Sequence, residues 1–194
     1  MLFRSAARQN FLNAMDATVH LLRNHPCICL WTIFNEGWGQ FRADDAYCRL
    51  RSLDDTRFID STSGWFARNL SDVESLHIYF RPLRAGKQDR PLFLSEFGGW
   101  SMKIPEHSFN LKKTYGYKKY TDRAQFVRDL RTLYLDQVMP LIRQGLCAAV
   151  YTQVSDVEDE TNGLLTFDRM AAKVFPEEFR DISEKLIRES EGLR

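Results

Sequence analysis

Two glutamates stand where apolar runs stop: Glu36 closes Leu30-Trp31-Thr32-Ile33-Phe34-Asn35-Glu36, and Glu96 closes Pro91-Leu92-Phe93-Leu94-Ser95-Glu96. A carboxylate in such a place is costly to bury unless it is partnered, so these two are more informative than any surface acid. Carboxyl groups there can carry acid–base or nucleophilic chemistry, or they can be solvated loop acids. The pattern alone leaves both open. Other polar residues fall at similar run ends: Asn35, His77 with Tyr79, and Gln153 with Asp156.

The elements that would position them alternate between helix and strand. Phe11, Met15, Val19 and Leu22 recur at spacings of three and four, which predicts an amphipathic helix from Ser5 to Arg23, stopped by Asn24-His25-Pro26. Cys27 to Phe34 has the length and composition of a strand buried on both faces. A helix from Ala43 to Leu53 follows, then short strands at Arg57 to Asp60, Leu76 to Phe80 and Pro91 to Ser95. The stretch from Ser101 to Tyr120 is basic, aromatic and without period, and is expected to be a long loop, either functional, as a lid, or disordered. Asp122-x-x-Gln125 predicts a capped helix ending near Gly145; a strand from Leu146 to Gln153 and a helix from Pro176 to Glu191 close the chain. The alternation predicts an α/β fold with a parallel sheet. In barrels of this kind the active site lies at the carboxyl ends of the strands, where the polar residues above fall.

Composition excludes several classes. The 194 residues carry 27 Lys+Arg against 26 Asp+Glu, a net charge of +1, so nothing marks a nucleic-acid channel or a polybasic membrane patch. The longest apolar run is far short of the roughly 20 residues that span a bilayer, and the Met1-Leu2-Phe3-Arg4-Ser5 start lacks the apolar run of a leader. Cys27, Cys29, Cys48 and Cys147 are read as reduced packing residues, which favours the cytoplasm. No Cys or His pair has the spacing of a metal site. No G-x-S-x-G elbow or G-x-G-x-x-G turn is present.

The segment His25-Pro26-Cys27-Ile28-Cys29-Leu30-Trp31-Thr32-Ile33-Phe34-Asn35-Glu36 resembles the acid/base strand of glycoside hydrolase family two, the group of β-galactosidases, β-glucuronidases and β-mannosidases. Leu92-Phe93-Leu94-Ser95-Glu96-Phe97-Gly98 is similar to the family's nucleophile strand, and Leu76-His77-Ile78-Tyr79 to its sixth strand. Tyr151 to Glu158 with Asn162 to Arg169 resembles the eighth strand and the loop after it. The resemblance implies a (β/α)8 TIM barrel represented in part, about strands four to eight with their helices. Residues 1–194 would then be the C-terminal part of the catalytic domain, without upstream strands and β-sandwich domains, and poorly soluble and inactive alone.

What it implies chemically is a retaining exo-β-glycosidase. Glu36 would be the general acid/base, beginning protonated, and Glu96 the ionised nucleophile, helped by Tyr79. Retention requires the two carboxyls about 5 to 5.5 Å apart, against roughly 6.5 to 9.5 Å for inversion. Asn35 would donate to the sugar's 2-hydroxyl, His77 would hydrogen-bond substrate or carboxylate, Tyr79 and Gln153 would bind substrate, and Trp65 and Trp100 would stack on it. The partner implied is a carbohydrate, and the chemistry needs neither metal nor organic cofactor. Glucuronidases of the family hold the sugar carboxylate with Asn-x-Lys after the eighth strand; here Asn162-Gly163-Leu164 lacks the Lys, favouring a neutral sugar such as a β-galactoside. The competing reading is a noncatalytic carbohydrate-binding or structural remnant whose acids are solvated.

Overall fold

A computed structural model describes residues 5–84, 86 and 89–193, so the Met1 to Arg4 start lies outside the described residues. The chain divides into two compact units: Met1–His77 with Asp89–Phe93, and Ile78–Gln88 with Leu94–Arg194.

In the first unit, helix α1 (Ser5–Leu22) precedes strand β1 (Leu30–Asn35), helix α2 (Ala43–Leu53) and strand β2 (Phe58–Ser63). β1 and β2 are parallel, in a register that runs from Leu30 opposite Phe58 to Asn35 opposite Ser63. Parallel neighbours need a crossover, and α2 supplies it. The apolar stripe of α1 does what its spacing predicts: Met15 and Val19 are buried with Trp31, Leu50 and Ile59. A second cluster gathers Phe34, Ala43 and Ala46, with Phe11 stacked on Phe34 at 5.0 Å between ring centroids.

β1 corrects two expectations. It starts at Leu30 rather than Cys27, and only Trp31 and Phe34 are buried while Thr32 and Asn35 are exposed, so it is not covered on both faces. The four cysteines are free and exposed rather than packed: Cys27 and Cys29 precede the strand, Cys48 lies on the outer side of α2, and Cys147 lies on an exposed strand.

Strand β3 (Glu74–Ile78) follows β2, and β4 (Leu92–Gly98) pairs with β7 (Leu146–Thr152). β3 ends before Tyr79 and β4 runs on through Glu96, so Glu96 sits inside a strand rather than at its end. Among the described strands no sheet closes on itself.

In the second unit the 101–120 segment is tied down rather than a free lid. β5 (Ser101–Met102) pairs in parallel with β6 (Lys119–Tyr120), and Pro105–His107 forms a 3-10 turn. Lys103 Nζ donates to the carbonyl oxygens of Asn110 and, at 2.8 Å, Lys113; the Ser101 and Thr114 hydroxyls lie 2.6 and 2.5 Å from that of Thr161. Each bond satisfies backbone or hydroxyl groups that the loop would otherwise leave to water. Helix α3 (Arg123–Thr132) is capped by Asp122, whose side chain accepts the Ala124 N–H at 2.8 Å. It continues through a π-helical stretch (Leu133–Val138) into α4 (Met139–Ile142). Helix α5 (Pro176–Glu191) begins on a proline at N1, with the Glu178 carboxylate accepting the Phe175 N–H at 2.8 Å. Phe97, Phe126, Leu130 and Ile182 are at most 1% exposed and form the heart of this unit. Among the described residues no helix is long and apolar enough to cross a membrane.

Candidate active site

The first unit builds a polar cluster around Glu36. That residue follows β1 directly, with φ of +51°, a left-handed conformation uncommon for a residue with a side chain. Its N–H donates to the Ser63 carbonyl at 2.9 Å, which continues the β1–β2 pairing one residue past the strand. One carboxylate oxygen, Oε1, lies 2.8 Å from His77 Nδ1, and His77 Nε2 lies 2.9 Å from Ser63 Oγ. The His77 side chain is fully buried; that of Glu36 is 17% exposed. Gly64 makes room for the ring: a Cβ there would stand 2.7 Å from His77 Nδ1, and its φ of +93° suits glycine. Asn35 and Trp65 are exposed beside this cluster, and Trp65 Nε1 donates to the His77 carbonyl at 3.4 Å.

Behind His77 the interior is polar. Asp60, Ser61, Thr62 and Ser63 are all buried on β2, and Ser75 on β3 lies 3.1 Å from Ser63, hydroxyl to hydroxyl. Burial pushes the Asp60 carboxyl above the ordinary aspartate range, against hydrogen bonds from the Ser75 and Ser63 hydroxyls and the Thr62 backbone.

The second unit builds a cluster of its own around Glu96. The Tyr79 hydroxyl donates to Glu96 Oε2 and lies 3.1 Å from Thr152 Oγ1. Tyr79 stacks on Tyr117 with centroids 4.1 Å apart. Burial raises the Tyr79 phenol, the Glu96 hydrogen bond raises it further, and Thr152 opposes only in part, so the phenol keeps its proton and remains a donor. Trp100 is half-buried, tilted against Tyr120 and capped by the Lys118 ammonium 5.0 Å from its ring centre. Gln153 spends its amide N–H groups on its own loop, donating to Glu160 Oε2 and Asn162 Oδ1 at 2.9 Å each. Asp156 is buried against Lys173 at 2.5 Å, an ion pair that also accepts the Gly163 N–H.

Each predicted acid thus has a built surrounding: His77 serves Glu36, and Tyr79 serves Glu96. Sequence reasoning missed Ser63, Asp60 and Thr152. The signal for the first two was four polar residues in succession between Ile59 and Gly64, where a buried strand would be apolar.

The strands and helices described above are those of an α/β TIM-barrel domain, and comparisons with known proteins agree. Residues 4–170 match the glycosyl hydrolases family 2, TIM barrel domain, and the chain belongs to that family. Among solved structures it is similar to a candidate β-galactosidase from Bacteroides fragilis, with 15% identity over 91% of this chain and 31% of that one, at a TM-score of 0.60. It is also similar to a β-D-glucuronidase of Dictyoglomus thermophilum, with 15% identity over 93% of this chain and 35% of that one, at a TM-score of 0.59. An FMN-binding β-glucuronidase from Faecalibacterium prausnitzii L2-6 shares 22% identity over 86% of this chain and 30% of that one, at a TM-score of 0.56. The chain therefore spans about a third of the length of these structures. A search of curated proteins returns no significant match.

Proposed function

We propose that this chain carries the two catalytic carboxyls of a retaining, exo-acting β-glycosidase, contributed by about strands four to eight of its barrel. In the first step a Glu96 oxygen bonds to the anomeric carbon as the glycosidic C–O bond breaks, and Glu36 gives its proton to the leaving oxygen. In the second, Glu36 takes a proton from water, whose oxygen attacks the anomeric carbon and releases Glu96. The observation that carries the reading is the phenol of Tyr79 donating to Glu96: a neutral donor that keeps its own proton orients the carboxylate oxygens for attack.

Asn35, Tyr79, Trp65, Trp100 and Gln153 are the residues proposed to meet the sugar, with Trp65 54% exposed; His77, its side chain fully buried and its two ring nitrogens facing Glu36 and Ser63, serves the Glu36 carboxyl rather than the sugar. The substrate favoured is a neutral β-glycoside such as a galactoside. Several structural relatives are named β-glucuronidases, but Asn162-Gly163-Leu164 offers no cation for a uronate. Gly163 N–H is instead spent on Asp156.

The test uses the intact protein. Glu96→Gly is expected to lower hydrolysis of an aryl β-glycoside by at least about 10⁴-fold. Azide should then restore turnover and yield the α-glycosyl azide, because it attacks from the face opposite the leaving group. Unchanged hydrolysis would sink the assignment and leave a noncatalytic barrel as the better description.

A further inference from the structure

Ser63 reaches Glu36 by two routes, directly through its backbone and indirectly through His77. Its backbone carbonyl accepts the Glu36 N–H at 2.9 Å, and its hydroxyl stands 2.9 Å from the far nitrogen of the imidazole whose near nitrogen is 2.8 Å from the Glu36 carboxyl. The four residues of this line lie on β2, β3 and the turn after β1, and Asp60, Ser63 and His77 are each no more than 5% exposed. Water is therefore poorly placed to decide which atoms carry hydrogens, and the partners must decide it.

The direction follows from counting donors. A carboxyl as deeply buried as Asp60 draws the hydroxyl hydrogens of Ser63 and Ser75. A serine hydroxyl has one hydrogen; with it turned toward Asp60, Ser63 Oγ offers only a lone pair to His77 Nε2. Nε2 must then be the N–H, and in a neutral ring Nδ1 is left as an acceptor for the O–H of Glu36.

We infer that Ser63, oriented by Asp60, is a positioning residue that fixes His77 in its Nε2–H tautomer and so holds the proton-bearing Glu36 carboxyl at the end of β1. The inference rests on the acid/base reading of Glu36. It adds that the hydroxyl beneath the histidine matters to proton donation, though it never meets the sugar. Gly64 belongs to the same device, since any side chain there would press on the ring that Ser63 orients.

The experiment compares Ser63→Ala, Ser63→Thr and Glu36→Gln in the intact protein, each checked for folding by circular dichroism. Two substrates are used, an activated aryl β-glycoside whose leaving group needs no proton and an alkyl β-glycoside whose leaving group does. Ring 15N shifts of His77 report its tautomer without reference to activity. The expected result is a Ser63→Ala loss of about tenfold in kcat confined to the alkyl substrate, with the histidine shifting from the pure Nε2–H form to a mixture. Ser63→Thr, which keeps the hydroxyl, should restore both. If Glu36→Gln separates the substrates and Ser63→Ala slows both equally, or neither, the positioning role is overturned while the acid/base reading stands. If Glu36→Gln does not separate them, that reading fails. An unchanged Nε2–H tautomer in Ser63→Ala overturns the present inference in either case.

Discussion

The two units solve the burial of polar groups differently, and the contrast tracks their acids. Beneath Glu36 the first unit buries short neutral hydroxyls with one aspartate and one histidine, a line with no strong cation in it. The second unit buries a full ion pair, Lys173 with Asp156, both side chains at most 1% exposed, and Lys173 Nζ also donates to the Thr161 carbonyl at 3.0 Å. Burial raises Asp156 and lowers Lys173, and each opposes the other's shift. A hydroxyl line takes its direction from the acceptor at its end, here Asp60, and so can set where a proton sits. An ion pair fixes backbone instead, here the 153–165 loop that follows β7 and Thr152. The same glutamate side chain is accordingly served by an imidazole in one unit and by a phenol in the other, one able to accept a proton and one unable to.

The largest effect should come from breaking the ion pair. Lys173→Met leaves Asp156 buried without its cation and should cost about 3–5 kcal/mol in urea unfolding. Lys173→Met with Asp156→Leu should recover most of it, because two apolar side chains replace two buried charges. A single variant no worse than Ser63→Ala would erase the distinction between the two interiors. Next is Tyr79→Phe, which removes the donor from Glu96. A hydrogen bond to a charged group is worth roughly 1.5–3 kcal/mol, so kcat/KM for the activated aryl substrate should fall about 10- to 100-fold. The same substitution should leave the 15N signature of His77 unmoved.

How far these regions were legible in the sequence follows the same division. The helices α2 and α5 fall where their periodicity puts them, Ala43–Leu53 and Pro176–Glu191, since each needs one apolar face against its unit and shows it in spacing. Glu36 and Glu96 stood out because apolar runs precede them. β2 was read too short, ending at Asp60, because its interior residues are polar and satisfied by one another, a condition that no hydropathy pattern records. The 101–120 segment read as a lid for a related reason: its order comes from Lys103, Thr114 and Thr161, residues that meet only after the chain has folded. The cysteines misled because an apolar run was extended to a proline, whereas the pairing with β2 begins only at Leu30.

The smallest effect separates two aspartates six residues apart in the first unit. Asp54 is buried, yet hydrogen bonds from the Thr56 hydroxyl, Trp31 Nε1 and the Thr56 backbone outweigh that burial and hold its carboxyl down to about 2. Asp60 shifts upward because burial outweighs its donors. For Asp54 the folded state favours the charged form, so its contribution is fully present above the unfolded value of about 4 and is lost as pH falls toward 2. Asp54→Asn should therefore cost on the order of 1–2 kcal/mol at pH 7 and nearly nothing at pH 2. For Asp60 the folded state favours the protonated form, so the wild-type residue costs stability once pH rises above the ordinary aspartate range. Asp60→Asn, which keeps an acceptor for Ser63, should be neutral or stabilising at pH 7 and lose that advantage in acid. Urea midpoints at pH 7 and pH 2 for the two variants check both signs. Equal behaviour of the two would mean that the Asp60 carboxyl is hydrated, and a hydrated carboxyl could not impose a direction on the Ser63 hydroxyl.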